Sequence, residues 1–134
     1  MQGIRAWDNS YGVVVSAADS TVVTGNTLYD NLADGVRVFS GQNVQITNNF
    51  LRENTDDGVF VQAAAPSVTI TGKKAISNGS AGIDVDGPNA HVTGNVANGN
   101  TTDGEAGLAA GRARATLTGR AGRRGVRARC GSAS

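Results

Sequence analysis

Gly35–Asp57, GVRVFSGQNVQITNNFLRENTDD, is one copy of a pattern that recurs along most of the chain. The copy before it, Gly12–Asp34, reads GVVVSAADSTVVTGNTLYDNLAD. Those after it are Gly58–Ala81, GVFVQAAAPSVTITGKKAISNGSA, and Gly82–Asp103, GIDVDGPNAHVTGNVANGNTTD. Counted from glycine to glycine as far as Gly104, the periods are 23, 23, 24 and 22 residues. A fixed period in this range marks a solenoid, in which each copy buries its apolar side only against its neighbours.

Three short segments stand out in each copy. The first is Gly-Val-x-Val or its Ile variant. Strand alternation puts Val13, Val36, Val59 and Ile83 on one face, with Val15, Val38, Val61 and Val85 beside them. The second segment points Val23, Ile46, Ile70 and Val92 inward, each followed by a threonine. The third points Leu28, Leu51, Ala75 and Ala97 inward. A buried large aliphatic side chain contributes roughly 1.5–3 kcal/mol. Four or so per turn do not offset the ordering of that turn, so stability has to come from stacking several. A leucine-rich repeat has a similar period but wants a Leu-rich strand, which is missing here.

The corners follow the same rule. Asn31, Asn54, Asn78 and Asn100 each stand four residues before Gly35, Gly58, Gly82 and Gly104. Asn and Gly tolerate left-handed backbone, as a corner between strands requires. Stacked Asn side chains can also hydrogen-bond from rung to rung. A second column is Asn26, Asn49, Lys73, Asn95, with a lysine in the third place.

Outward from the repeats, residues 1–11 read as a partial N-terminal coil, with Asn9-Ser10-Tyr11-Gly12 a shortened corner. Residues 105–134 read as a degenerate last coil running into an Arg/Ala/Gly-rich tail. The net charge of +1 hides a split: residues 1–104 hold five Lys/Arg against ten Asp/Glu, a net of −5, and residues 105–134 seven Arg against Glu105, a net of +6. The tail is either a disordered basic segment or the place where the proper continuation of the repeats is lost. It carries no aromatic residue to stack on bases, so nucleic acid is not its expected partner. Apolar content of 39% with 4% aromatic, 19 glycines and two prolines suits a slender β stack better than a globular core. Cys130 stands alone, so no internal disulfide forms. No apolar run reaches membrane-spanning length, so no membrane partner is expected. The start, MQGIRAWDNSYG, lacks the features of a signal peptide. A solenoid that begins in mid-coil has open sheet edges, which is expected of a fragment and offers end-to-end self-association.

The pieces G-[VI]-x-V, V-x-[IV]-T-[GN]-N and N-x-x-[DA]-G resemble the right-handed parallel β-helix repeat proteins, the pectate-lyase-like superfamily, over about residues 12–104. The resemblance implies an all-β chain, a right-handed parallel β-helix of about 4–5 coils with an irregular basic C-terminal tail. It further implies a polysaccharide-binding or polysaccharide-processing parent, extracellular or periplasmic. The alternative within the same superfamily is a structural segment: an adhesin or spike shaft, or a periplasmic copper-maturation scaffold.

Candidate site residues are those that break the repeat on an outward face. The outward column of the first segment is Val14, Arg37, Phe60, Asp84, and two residues on lie Ser16, Phe39, Gln62 and Asp86. Arg37, Phe60, Asp84 and Asp86 therefore form the expected substrate-binding strip, a cation, an aromatic and two carboxylates on one sugar-facing surface. The other donors or bases within the repeats are Lys73, Lys74 and His91. No catalytic residue is assigned. Asn54-Thr55-Asp56-Asp57-Gly58 looks like the Asn-Thr-Asp motif of polygalacturonases, whose paired carboxylates do acid/base work. The same corner recurs in every turn, however, and the accompanying Gly-His-Gly and Arg-x-Lys pieces are missing. No metal or other cofactor is expected: one histidine without a Met or Cys cluster does not build a copper site, and the calcium-binding nonapeptide is not found. The Thr24, Thr47, Thr71, Thr93 column lacks the regular second rank of an ice-binding array, since its neighbours are Val22, Gln45, Thr69 and His91.

Overall fold

The computed structural model describes residues 1–102 together with two further strands, at Glu105–Ala106 and Arg114–Thr116. The basic tail expected at the C-terminus otherwise lies outside the described residues. Along the chain run β1 (Arg5–Ala6), β2 (Val13–Val15), β3 (Val22–Thr24), β4 (Thr27–Tyr29), β5 (Val36–Val38), β6 (Gln45–Thr47), β7 (Phe50–Arg52), β8 (Val59–Val61), β9 (Thr69–Thr71), β10 (Lys74–Ile76), β11 (Ile83–Val85), β12 (His91–Thr93), β13 (Val96–Asn98), β14 (Glu105–Ala106) and β15 (Arg114–Thr116). Among the described residues there is no helix.

The strands stack into three parallel sheets, a β-solenoid of about four turns. The first sheet is β2, β5, β8, β11 and β14; the second is β3, β6, β9, β12 and β15; the third is β1, β4, β7, β10 and β13. The register is that of the repeat. Val36 pairs with Val59, Ile46 with Ile70, and Leu51 with Ala75. One turn therefore superposes on the next without slip, because a shift of one residue would turn each aliphatic column outward.

The interior is those aliphatic columns, flanked at the corners by buried polar columns that include Asn26, Asn49, Lys73 and Asn95 and Asn31, Asn54 and Asn78. Val15, Val38, Val61 and Val85, with Val23, Ile46, Ile70, Val92, Leu28 and Leu51, are at most 1% exposed. Val44, Ala65, Val68 and Ala90 close the corner between the first and second sheets. Side chains this small fit because opposite walls of a three-sheet coil leave no room for rings, and the aromatics stand outside. Residues 1–11 are already part of the stack: β1 pairs with β4, and Gln2 bridges Thr24.

The corners depart from expectation in an instructive way. The left-handed residues are not the Asn column. They are the residues just before it: Asp30 (φ 52°), Glu53 (φ 55°) and Ser77 (φ 56°) at one corner, and Gly25, Asn48, Gly72 and Gly94 at the other. The Asn side chains instead complete the hydrogen bonding. Asn54 Oδ1 accepts from Asn31 Nδ2 at 2.9 Å and from the Asn31 backbone N–H at 3.3 Å. Asn54 Nδ2 donates in turn to Asn78 Oδ1 at 3.0 Å and to the Leu28 carbonyl. Asn78 repeats the pattern with Asn100. The columnar glycines serve close approach rather than φ. A Cβ on Gly35 would lie 2.7 Å from the Gly58 carbonyl oxygen and 3.0 Å from Asn54 Nδ2.

Candidate functional site

The outward column of the first sheet is in register: Val14 opposite Arg37, Arg37 opposite Phe60, Phe60 opposite Asp84. Asp86 is exposed and follows two residues after Asp84, on the same face. The structure thus brings all four strip residues together, with Phe39 of the neighbouring outward column beside them, and adds Tyr11, which the alternation did not single out. The Arg37 guanidinium lies 4.2 Å from the Phe60 ring centre, 5.1 Å from Phe39 and 5.9 Å from Tyr11. Tyr11 meets Phe39 edge-on at 6.2 Å.

Arg37 is not a free cation. Its Nη1 donates to Asp34 Oδ2 at 2.9 Å, and the Asp34 side chain is fully buried. Asp34 Oδ1 accepts the Asp57 N–H at 3.0 Å, and Asp57 Oδ1 accepts the Ala81 N–H at 2.7 Å. The aspartates of the N-x-x-D-G corners therefore act as rung-to-rung acceptors, and the polygalacturonase-like corner is built into the column. Burial pushes the Asp57 carboxyl up to about 6, opposed by its bond from Ala81 and helped by the charge of Asp34. Burial, then the neighbouring Asp86 carboxylate, raises Asp84 as well, and Asp84 Oδ1 has no hydrogen-bond partner. Chemically, the face offers an arginine clamped between rings, aromatic surface, an exposed Asp86 carboxylate and a half-buried Asp84 carboxylate whose Oδ1 is out of solvent and unpaired.

Of the remaining donors, Lys73 corrects the sequence reading. It points into the core, 1% exposed, and its Nζ has no hydrogen-bond partner. Burial holds its amine well below the usual lysine range. Its position in the second Asn column explains this, since every member of that column faces inward. Asn26 Nδ2 donates to Asn49 Oδ1 at 2.9 Å, but the next rung holds an amine where an amide would continue the chain. Only the Lys73 backbone keeps the pattern, donating to Asn95 Oδ1 at 3.1 Å. His91 is exposed on the second sheet, away from the strip.

The third sheet carries an outward face that the reading of the first segment passed over. Its register places Thr27, Phe50, Lys74 and Val96 in one column, and Tyr29, Arg52, Ile76 and Asn98 in the next. Arg5 pairs with Thr27 at the head of the first column. Trp7 stacks on Tyr29 at 5.7 Å with an 11° angle between rings, and Arg52 sits 4.7 Å from the Tyr29 ring. Applying strand alternation to the third segment, as to the first, finds these residues. An open groove of about 350 Å³ is lined by Asn48, Asn49, Phe50, Gly72 and Lys74, at the edge of this face and not on the strip. Among the described residues, no group of three or more His, Cys, Asp or Glu is placed to hold a metal ion.

A family model described as a right-handed beta helix region matches residues 2–119 of the chain. No curated protein and no solved structure matches it.

Proposed function

We propose, on the premise that this chain belongs to the family of right-handed β-helix regions, that its first sheet is a binding face for a neutral, hydroxyl-rich polysaccharide, without a complete active site of its own. The observation that carries this is the Arg37–Phe60–Asp84 column with Asp86 beside it. At ~4.8 Å per rung, Arg37 and Asp84 are about 10 Å apart along the axis, the scale of a disaccharide. A neutral sugar stacks its apolar face on the face of an aromatic ring and donates hydroxyls to carboxylates. A polyuronate fits poorly here. Arg37, the one cation of the strip, is already neutralised by Asp34, and Asp84 and Asp86 repel a carboxylate. A face for such polymers belongs where they are found, so the reading extends to a secreted or periplasmic parent.

The test is affinity electrophoresis through gels holding neutral glucans, mannans or xylans. The wild-type protein should be retarded by at least one of them, and Phe60→Ala or Asp84→Ala should weaken that retardation about tenfold. A structural segment with no ligand is the second reading, favoured by the fact that the polar partner of Arg37 is its own chain's Asp34. Migration unaffected by every polymer would select it and defeat the first.

A further inference from the structure

We propose that the groove at the edge of the third sheet is a covalent site for small carbonyl compounds bearing a carboxylate, the 2-oxo acids, and that Lys73 is the amine that captures them as an imine. The groove, of about 350 Å³, is lined by Asn48, Asn49 and Phe50 on one rung and by Gly72 and Lys74 on the next. That volume suits a small ligand. Lys73 is the residue that the lining skips, because its side chain turns into the core. Asn49, its neighbour in the buried column, does line the groove, so the groove and the column of the amine share a wall. A Cβ on Gly72 would collide with Asn48 Oδ1, so that wall stays free of a side chain.

Two features make this amine a reagent rather than a packing error. The first is a gap in the ladder. On the rung before, the Asn26 N–H and Nδ2 both donate to Asn49 Oδ1. Asn49 Nδ2 donates to the Val23 carbonyl, but the following rung offers it no side-chain oxygen, since lysine has no acceptor. The joint between Asn49 and Lys73 is therefore the unlinked one, and a small molecule in the groove reaches the amine there. The second is the state of the amine. Nζ is buried and unpartnered, and burial holds it well below the usual lysine range, so more of it is the free base that attacks a carbonyl. The Nζ lone pair adds to the carbonyl carbon, the C–O bond breaks, and water leaves with both amine hydrogens. No oxidant or reductant is needed. The neutral imine nitrogen is an acceptor, which this rung lacks, and carries no charge into the core. Lys74 sets the class of ligand. It is exposed and, among the described residues, in no ion pair, so its ammonium is free to hold a carboxylate in the groove.

The test is reductive trapping of the full chain with glyoxylate and borohydride at neutral pH, read by mass spectrometry of the intact protein and of its peptides. One carboxymethyl group should appear on Lys73, about tenfold faster than on the exposed Lys74. In urea that preference should vanish, which separates a property of the fold from one of the local sequence. Lys74→Ala should slow capture of glyoxylate about fivefold and leave capture of propanal, which has no carboxylate, unchanged. Lys73→Met, with its fold checked by circular dichroism, should take no label at this site. The proposal is overturned if native Lys73 stays unlabelled, if Lys74 is labelled as fast as Lys73, or if propanal is captured as readily as glyoxylate by the wild type. No residue of the first-sheet strip takes part, so this site and that face can fail separately.

Discussion

Lys73 is the residue at which the chain breaks its own rule. Asn26, Asn49 and Asn95 share a column of inward amides, and Lys73 puts a buried amine with no partner among them. An unfolded lysine keeps its proton up to about 10.5, whereas burial holds the folded one well below that. The folded state therefore binds the proton less well. Lysine's full contribution is present above the unfolded value and is lost as pH falls toward the folded one. Lys73→Met keeps the buried stem and removes the amine. It should raise stability at pH 7 by about 1–3 kcal/mol, the cost of a buried donor left without a partner. It should also flatten the rise in stability between pH 7 and 10. Urea denaturation of both forms at several pH values measures this, and an unchanged pH slope would show the amine to be solvated. Asp57, with its carboxyl near 6, has the opposite sign: it favours folding below its unfolded value of 3.8 and loses that as pH rises through about 6.

At the level of the element, the corner is what makes a turn. Asn54 gives the Asn31 N–H and amide their acceptor and takes Leu28 and Asn78 as its own acceptors. Asn54→Ala leaves at least two buried groups unpaired and should destabilise the protein by about 3 kcal/mol, at roughly 1–3 kcal/mol for each lost partner. Thermal unfolding followed by circular dichroism checks it, and a loss under 0.5 kcal/mol would mean that water enters the column. Most of this element was legible beforehand. The period, the aliphatic columns, the Asn ladder and the strip of Arg37, Phe60, Asp84 and Asp86 all follow from counting residues and alternating faces. The left-handed position was not, because Asp30, Glu53, Ser77 and Gly99 share no one type of side chain, only a backbone angle. Nor was the neutralisation of Arg37, since Asp34 lies three residues back and belongs to the corner rather than the strand. The third-sheet face could have been read by the same alternation. Its residues change type at every rung, so no column announced itself.

For the whole molecule, contacts run almost wholly between successive turns, and a stack of this kind gains stability turn by turn rather than from a common centre. Two faces of unlike charge ride on the one interior. The first sheet carries Asp84 and Asp86, and the third carries Arg5, Arg52 and Lys74. Outward residues are free to differ because inward ones are fixed, which is how one scaffold can present two surfaces of different character.

The equal register of the turns makes the chain's length divisible. Excising Gly35–Asp57 as a block would join Asp34 to Gly58 and set Val13 opposite Val59, Val23 opposite Ile70 and Asn31 opposite Asn78, with every aliphatic column intact and only the Asn26 amide losing its Asn49 acceptor. Such a protein should fold, shorter by one storey of about 4.8 Å, as small-angle scattering and circular dichroism can show. Cutting twelve residues from the same place should leave it unfolded. A protein built this way can gain or shed whole storeys by duplication and loss, and has no cheap route to fractions of one.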